Sequence, residues 1–168
     1  DRRGIADARG ELGALFLERG DYERSVELLT EALEEQHAIG VRPGEIRNEG
    51  LIARALFEVA TTHDAMPGFL ARLLPTVTPA SWRTETLRQA YDRISRMREP
   101  ESDPEGSGSR YSLRARILQE RIVHALWEAG VDINEERAGG VVEPDRILDA
   151  FRSMFAEAES EHDRAEVA

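Results

Sequence analysis

Apolar residues recur every three or four positions along most of the chain, which is the spacing of one face of an α-helix. In the first segment this spacing predicts a buried stripe formed by Ile5, Ala8, Leu12, Leu15 and Phe16. No segment shows the strict alternation of a half-buried strand, so we expect an all-α fold built from antiparallel helix hairpins. The helices predicted before residue 99 cover residues 5–19, 22–37, 46–61, 68–74 and 79–98.

The second half of the chain begins with a segment of Pro, Gly, Ser and acidic residues. Residues 99–110 contain no apolar side chain to bury, which predicts a flexible linker. Beyond it, helical periodicity predicts a C-terminal hairpin or cap over residues 111–158, followed by a frayed acidic tail over residues 159–168. The last helix carries a stripe of Phe151, Met154 and Phe155. This stripe is either core or the interface of a homo-oligomer.

Residues 6–39 form the most distinctive segment of the sequence. They combine a Leu-Gly pair, a Gly-Asp-Tyr turn and a small residue near the end of the second helix, and this arrangement resembles the tetratricopeptide repeat. Gly13 allows close approach of the two helices, and Gly20 allows a left-handed turn. Asp21 is placed to accept hydrogen bonds from the free backbone N–H groups of the next helix. Ser25 and His37 depart from the usual pattern of the family. The residues that carry the resemblance are Leu12, Gly13, Phe16, Gly20, Asp21, Tyr22, Leu29 and Ala32.

A second, degenerate repeat is predicted over residues 46–75. At an offset of forty residues Ile52 falls on Leu12 and Leu56 falls on Phe16, but two prolines shorten its second helix. The helix over residues 79–98 is then an additional element that completes a helical array over residues 1–98. The opening residues Asp-Arg-Arg-Gly-Ile-Ala are similar to the turn between repeats in large bacterial signal-transduction ATPases and transcriptional activators.

The resemblance implies a partner-binding concave face. Arg47 and Arg54 are separated by two helical turns, so they would share one side of their helix and grip a carboxylate of an acidic or C-terminal peptide. Alternatively, they are surface cations that balance nearby glutamates. The residues placed on this face by the repeat register are Asp7, Gly10, Ala14, Leu17, Arg47, Arg54, Phe57 and Glu58.

The amino-acid composition of the chain disfavours some classes of binding partner. The 168 residues include 33 acids and 22 cations, all arginine, which gives a net charge of −11. A net negative charge disfavours direct binding of nucleic acid, which is itself negatively charged. Adaptation to salt would also explain the excess of acidic residues. No stretch approaches the roughly 20 apolar residues of a membrane helix, so we expect no membrane partner and a cytoplasmic location. Cysteine is absent, which removes thiol chemistry.

Candidate catalytic and metal-binding residues are sparse. No two of the four histidines have the spacing of a helical zinc pair, and His63-Asp64 lacks an accompanying nucleophile. The loop over residues 132–143 has a partial calcium-loop pattern, but Arg137 occupies the position that needs glycine. We therefore expect that the chain is not an enzyme and that it binds no metal ion or cofactor.

Two functions remain open from the sequence. The first is a non-enzymatic interaction module or scaffold that binds a protein or peptide. The alternative is a regulatory or sensor domain of a larger bacterial signalling or transcription protein, with its effector domain outside this chain. Repeats matching residues 6–39 upstream of this chain would favour the alternative.

Overall fold

The computed structural model of the chain describes residues 1–97 and 108–131. These ranges contain six helices and no strand, which confirms the predicted all-α class for this part of the chain. Two compact units are present, Asp1–Ser102 and Asp103–Ala168. The helices are α1 (Arg2–Glu18), α2 (Tyr22–Ile39), α3 (Arg42–Thr62), α4 (Gly68–Leu73), α5 (Trp82–Arg96) and α6 (Gly108–Glu128).

Helices α1 and α2 form an antiparallel hairpin with a tight turn. Gly20 adopts a φ of 76°, and the Asp21 side chain accepts a hydrogen bond from the backbone N–H of Arg24 at 3.3 Å. Gly13 faces Leu29 so closely that a Cβ atom at residue 13 would lie 2.7 Å from the Leu29 Cγ. The turn, the cap and the close approach of the helices agree with the roles predicted for these residues.

The predicted buried face of α1 is wrong. The buried residues are Ala6, Gly10, Gly13 and Leu17, whereas the stripe expected to be buried is exposed except for Phe16, which is half-buried. The physical reason is that the two glycines of this face allow close approach of other helices, Gly13 of α2 at Leu29 and Gly10 of α3 at Asn48. The large apolar side chains left at the surface are Ile5, Leu12 and Leu15, with exposed fractions of 50%, 44% and 56%.

Helix α3 begins at Arg42, four residues before the predicted start. Pro43 and Gly44 precede the predicted helix, but Pro43 lies in the first turn of α3, where a missing N–H breaks no helical hydrogen bond. Gly44 lies against the side-chain amide of Gln36 and leaves no space for a Cβ atom. Both residues therefore serve the start of α3 and its contact with α2.

Helix α3 pairs with α5, and not with α4 as the predicted second repeat would require. Arg93 of α5 donates to Glu49 at 2.6 Å, and Arg83 at the other end of α5 donates to the backbone carbonyl of His63 at 2.6 Å. These two contacts make α5 antiparallel to α3. The six residues of α4 are too few to cover the 21-residue α3, and Arg72 of α4 pairs instead with glutamates of α2.

The second unit is described only in part. Helix α6 begins at Gly108, three residues before its predicted start, and Gly130 follows it with a φ of 78°. Ile122 and Leu126 of α6 are buried. The candidate calcium loop, the helix carrying Phe151 and the acidic tail lie outside the described residues. Within the described ranges, no helix combines the length and apolar composition needed to cross a membrane.

Candidate partner-binding surface

Two ion pairs join α1 to α3 side by side. Arg47 donates to Glu11 at 2.6 Å, and Arg54 donates to Glu18 at 2.7 Å. Each pair spans the same interval of 36 residues, so α1 and α3 run parallel. The two pairs are seven residues apart along each helix, and therefore lie two turns apart on the same side.

The two ion pairs, Arg47 with Glu11 and Arg54 with Glu18, form what we call the ladder, and their charges remain exposed to water. The hydrogen bond from Arg47, followed by its positive charge, holds the pKa of Glu11 below its usual value, and slight burial opposes this. Both glutamate side chains are 63% exposed. Because exposed ion pairs typically contribute no more than about 1 kcal/mol, the ladder sets the position of the arginines more than it stabilises the fold.

The sequence-predicted surface residues divide into two groups. Gly10 is buried, and Leu17 and Phe57 are each only 4% exposed and pack into the core, so these three residues offer a partner almost no surface. Asp7, Arg47, Arg54, Glu58 and Ala14 retain accessible side chains. Together with the two glutamates of the ladder they define what we call the α1–α3 surface, formed by Asp7, Glu11, Ala14, Glu18, Arg47, Arg54 and Glu58.

Sequence reasoning missed Glu11 and Glu18. A signal for them was present, because the two acids are seven residues apart, as are Arg47 and Arg54. Matching intervals of opposite charge on two helices permit a ladder only when the helices run parallel and in register. Neither the direction nor the register of α1 and α3 can be read from the sequence pattern alone.

A polar network lies beneath this surface, where α1, α2 and α3 meet. Asn48, which is 1% exposed, donates to the side-chain oxygen of Gln36 at 2.8 Å. Gln36 in turn donates to Asp7 at 3.2 Å. A Cβ atom at Gly10 would lie 3.0 Å from the Asn48 amide oxygen. The network therefore ties the register of all three helices to one exposed carboxylate of the α1–α3 surface.

The described residues offer little catalytic or metal-binding geometry. His63 contacts Thr62 at 3.1 Å and packs edge-on against the Tyr22 ring, with 5.8 Å between ring centroids. No group of three His, Asp or Glu side chains within the described ranges is arranged to hold a metal ion. A shallow depression beside α2 and α3 is lined by Leu33, His37, Glu45 and Met97, among others, and contains no nucleophile paired with a base.

Comparisons with known proteins gave no family for this chain. No protein-family model matches it, and neither the curated proteins nor the solved structures that were compared gave a match.

Proposed function

We propose that the chain is a non-enzymatic interaction module that binds an acidic peptide or protein segment on the α1–α3 surface. The observation that carries the proposal is the pair of arginines held two turns apart on that surface. Arg47 and Arg54 are 43% and 44% exposed, so their guanidinium groups are within reach of an external ligand. Two guanidinium groups at a fixed spacing favour a ligand with two carboxylates, or with one acidic side chain and a C-terminal carboxylate.

The helix arrangement supports a tetratricopeptide-like array as the scaffold for this surface. Two antiparallel hairpins, α1 with α2 and α3 with α5, place α1 and α3 in parallel. Each hairpin also contains an ion pair at equivalent positions of its first helix: Arg9 of α1 pairs with Glu31 of α2 at 3.5 Å, and Glu49 of α3, forty residues after Arg9, pairs with Arg93 of α5 at 2.6 Å. In this interpretation α4 is a short insertion within the second repeat.

Binding would proceed by exchange of carboxylates. In the free protein Glu11 and Glu18 occupy the arginines, and an incoming ligand carboxylate would replace them. The cost of this exchange is small, because each exposed pair contributes at most about 1 kcal/mol. The released glutamates remain in water, so their loss as partners buries no unpaired charge.

Two opposing variants test the proposal on an array of short peptides with acidic C-termini, printed in free-acid and amidated forms. Arg47→Ala/Arg54→Ala removes the cations and should abolish binding to the free-acid peptides. Glu11→Gln/Glu18→Gln removes the internal competitors and should strengthen the binding of the same peptides. Binding of the wild type should weaken as salt rises, since the interaction depends on charge.

The unfolding transitions provide the control for these variants. Both double variants should remain folded with little change in denaturation midpoint, because they alter exposed ion pairs. The proposal is wrong if the wild-type chain binds no peptide more strongly than Arg47→Ala/Arg54→Ala does. It is also wrong if Glu11→Gln/Glu18→Gln weakens binding as much as removal of the arginines.

A further inference from the structure

A second surface, on a different face of α1, is apolar and exposed. Ile5, Ala8, Leu12 and Leu15 follow one another at intervals of three or four residues, and we call this row the α1 stripe. Ten residues separate its ends, so it is about 15 Å long. A single exposed leucine is ordinary, but a continuous row along a helix is typical of a face that packs against another helix.

The same face is covered elsewhere in this molecule. At the offset of forty residues, the positions of the α1 stripe correspond to positions on α3 that are no more than 7% exposed. Helix α2 contacts two of these positions: Asn48 donates to Gln36 at 2.8 Å, and Glu45 contacts His37 at 3.4 Å. The corresponding buried residues of α3 are Glu45, Asn48, Ile52 and Ala55.

The charges at the ends of the α1 stripe indicate what would cover it. Arg2 and Arg19 are exposed at its two ends, and neither side chain forms an ion pair within the part of the chain that the structure describes. A second copy packed through its own stripe would bring arginine against arginine, whether the two helices ran parallel or antiparallel. Like charges in contact disfavour such a dimer.

Helix α2, which packs against the equivalent face of α3, shows which kinds of residue a partner helix of the α1 stripe would carry. It is an amphipathic helix that carries five glutamates along its 18 residues, and it packs antiparallel to α3. At the α1 stripe, however, Ile5 replaces Glu45 and Ala8 replaces Asn48. A partner helix would therefore need apolar residues where α2 has His37 and Gln36, and carboxylates near Arg2 and Arg19.

We propose that the α1 stripe is the docking site for an acidic amphipathic helix, packed antiparallel to α1. This contact is separate from the peptide binding proposed for the α1–α3 surface. The partner helix contributes a row of leucine and alanine to the stripe. It also contributes one carboxylate toward each terminal arginine.

The probe is a fluorescent 18-residue peptide with the sequence of residues 22–39, carrying Gln36→Leu and His37→Leu and helix-stabilised on its opposite face. Its matched control is the unchanged sequence with the same stabilisation. The altered peptide should bind the full chain, as followed by fluorescence anisotropy. The unchanged peptide should bind at least about tenfold more weakly, because it would bury the Gln36 amide against Ala8 without a hydrogen-bond partner.

Variants of the protein locate the contact. Leu12→Asp should weaken binding of the altered peptide by at least about tenfold, because it buries a carboxylate in an apolar interface. Arg2→Gln/Arg19→Gln should weaken binding and reduce its dependence on salt. Ala38→Asp places the same charge on an exposed position of α2 and should leave binding unchanged. Circular dichroism checks that each variant is folded.

Three results would overturn the proposal. One is failure of the altered peptide to bind a folded chain, and another is equal binding to Leu12→Asp. The third is a wild-type dimer in sedimentation that Leu12→Asp converts to a monomer, since a second copy would then cover the stripe. Arg47→Ala/Arg54→Ala should leave binding of this peptide intact, so failure of either proposed surface can be recognised independently.

Discussion

At the scale of single residues, Gly13 determines how closely α1 and α2 pack. The space beside Gly13 is occupied by the Leu29 side chain and by the backbone nitrogen of Leu29, which would lie 3.3 Å from an added Cβ atom. The side chain can rotate, but the backbone of α2 can move only with the whole helix. The separation of the hairpin is therefore fixed by one missing methyl group.

Gly13→Ala should lower the free energy of unfolding by about 1–3 kcal/mol, the usual cost of overpacking a core. This loss should exceed the gain of up to about 1 kcal/mol that alanine brings to a helix interior. Gly68→Ala is the control, because an added Cβ there meets nothing within 4 Å. Chemical denaturation measures both variants. A Gly13→Ala variant as stable as the wild type would show that α2 can move away without cost.

Residue patterns predicted the turn at Gly20 and the cap at Asp21, because both depend on local backbone geometry. The same patterns assigned the wrong face of α1 to the core. Periodicity favours the face with the largest apolar side chains, and in α1 that face carries Leu12 and Leu15. The buried face is instead the one that permits close approach, and its glycines have almost no weight in a hydrophobic pattern.

At the scale of the helices, ion pairs of similar length differ greatly in burial. The Arg93 and Glu49 side chains between α5 and α3 are 19% and 17% exposed, whereas those of Arg54 and Glu18 are 44% and 63% exposed. Partial burial removes water that would otherwise screen the pair. It also makes loss of one partner more costly, because the remaining charge stays buried.

Arg93→Ala should therefore destabilise the protein by about 1.5–3 kcal/mol, the range for hydrogen bonds to charged groups. Arg54→Ala, the exposed counterpart, should cost less than about 1 kcal/mol. Urea denaturation of both variants makes the comparison. Equal effects would mean that the α3–α5 contact is as open to water as the ladder on the α1–α3 surface.

The boundaries of α1 and α2 were predictable to within a few residues, whereas the pairing of α3 with α5 was not. Caps, glycines and prolines act within one turn of a helix, so their effects can be predicted from the residues next to them. Pairing depends on which helix is long enough to cover α3, and on a contact between Glu49 and Arg93 across 44 residues. Similarly, prediction of the α1–α3 surface would have required knowledge of the parallel register that aligns Glu11 with Arg47.

At the scale of the whole molecule, eleven uncompensated negative charges repel one another. The exposed ion pairs of the first unit oppose this repulsion locally. They cannot neutralise the net charge, because the chain has 33 acidic residues and only 22 cationic ones. Salt screens both repulsion and attraction between exposed charges. The excess of like charge makes repulsion the larger of the two effects.

Raising sodium chloride from about 0.01 M, where the Debye length is about 30 Å, to about 1 M, where it is about 3 Å, should therefore stabilise the chain. We expect a gain of roughly 1 kcal/mol and an increase in Tm of about 2–4 °C, measured by calorimetry. A non-ionic osmolyte at the same osmolality separates screening from general preferential exclusion. A Tm that falls with salt would show that the attractive pairs outweigh the net repulsion.

The connection between α3 and α5 has a consequence for how the chain folds. Only three residues separate α1 from α2, whereas 19 residues lie between Thr62 and Trp82. On loop-closure entropy alone, the longer connection costs about 1.6 kcal/mol more to close. The α1–α2 hairpin should therefore form early, and α5 should dock last in the first unit. Until it does, the side of α3 that carries Glu49 lacks the cover that α5 provides, which makes the chain most prone to aggregation at that stage of folding.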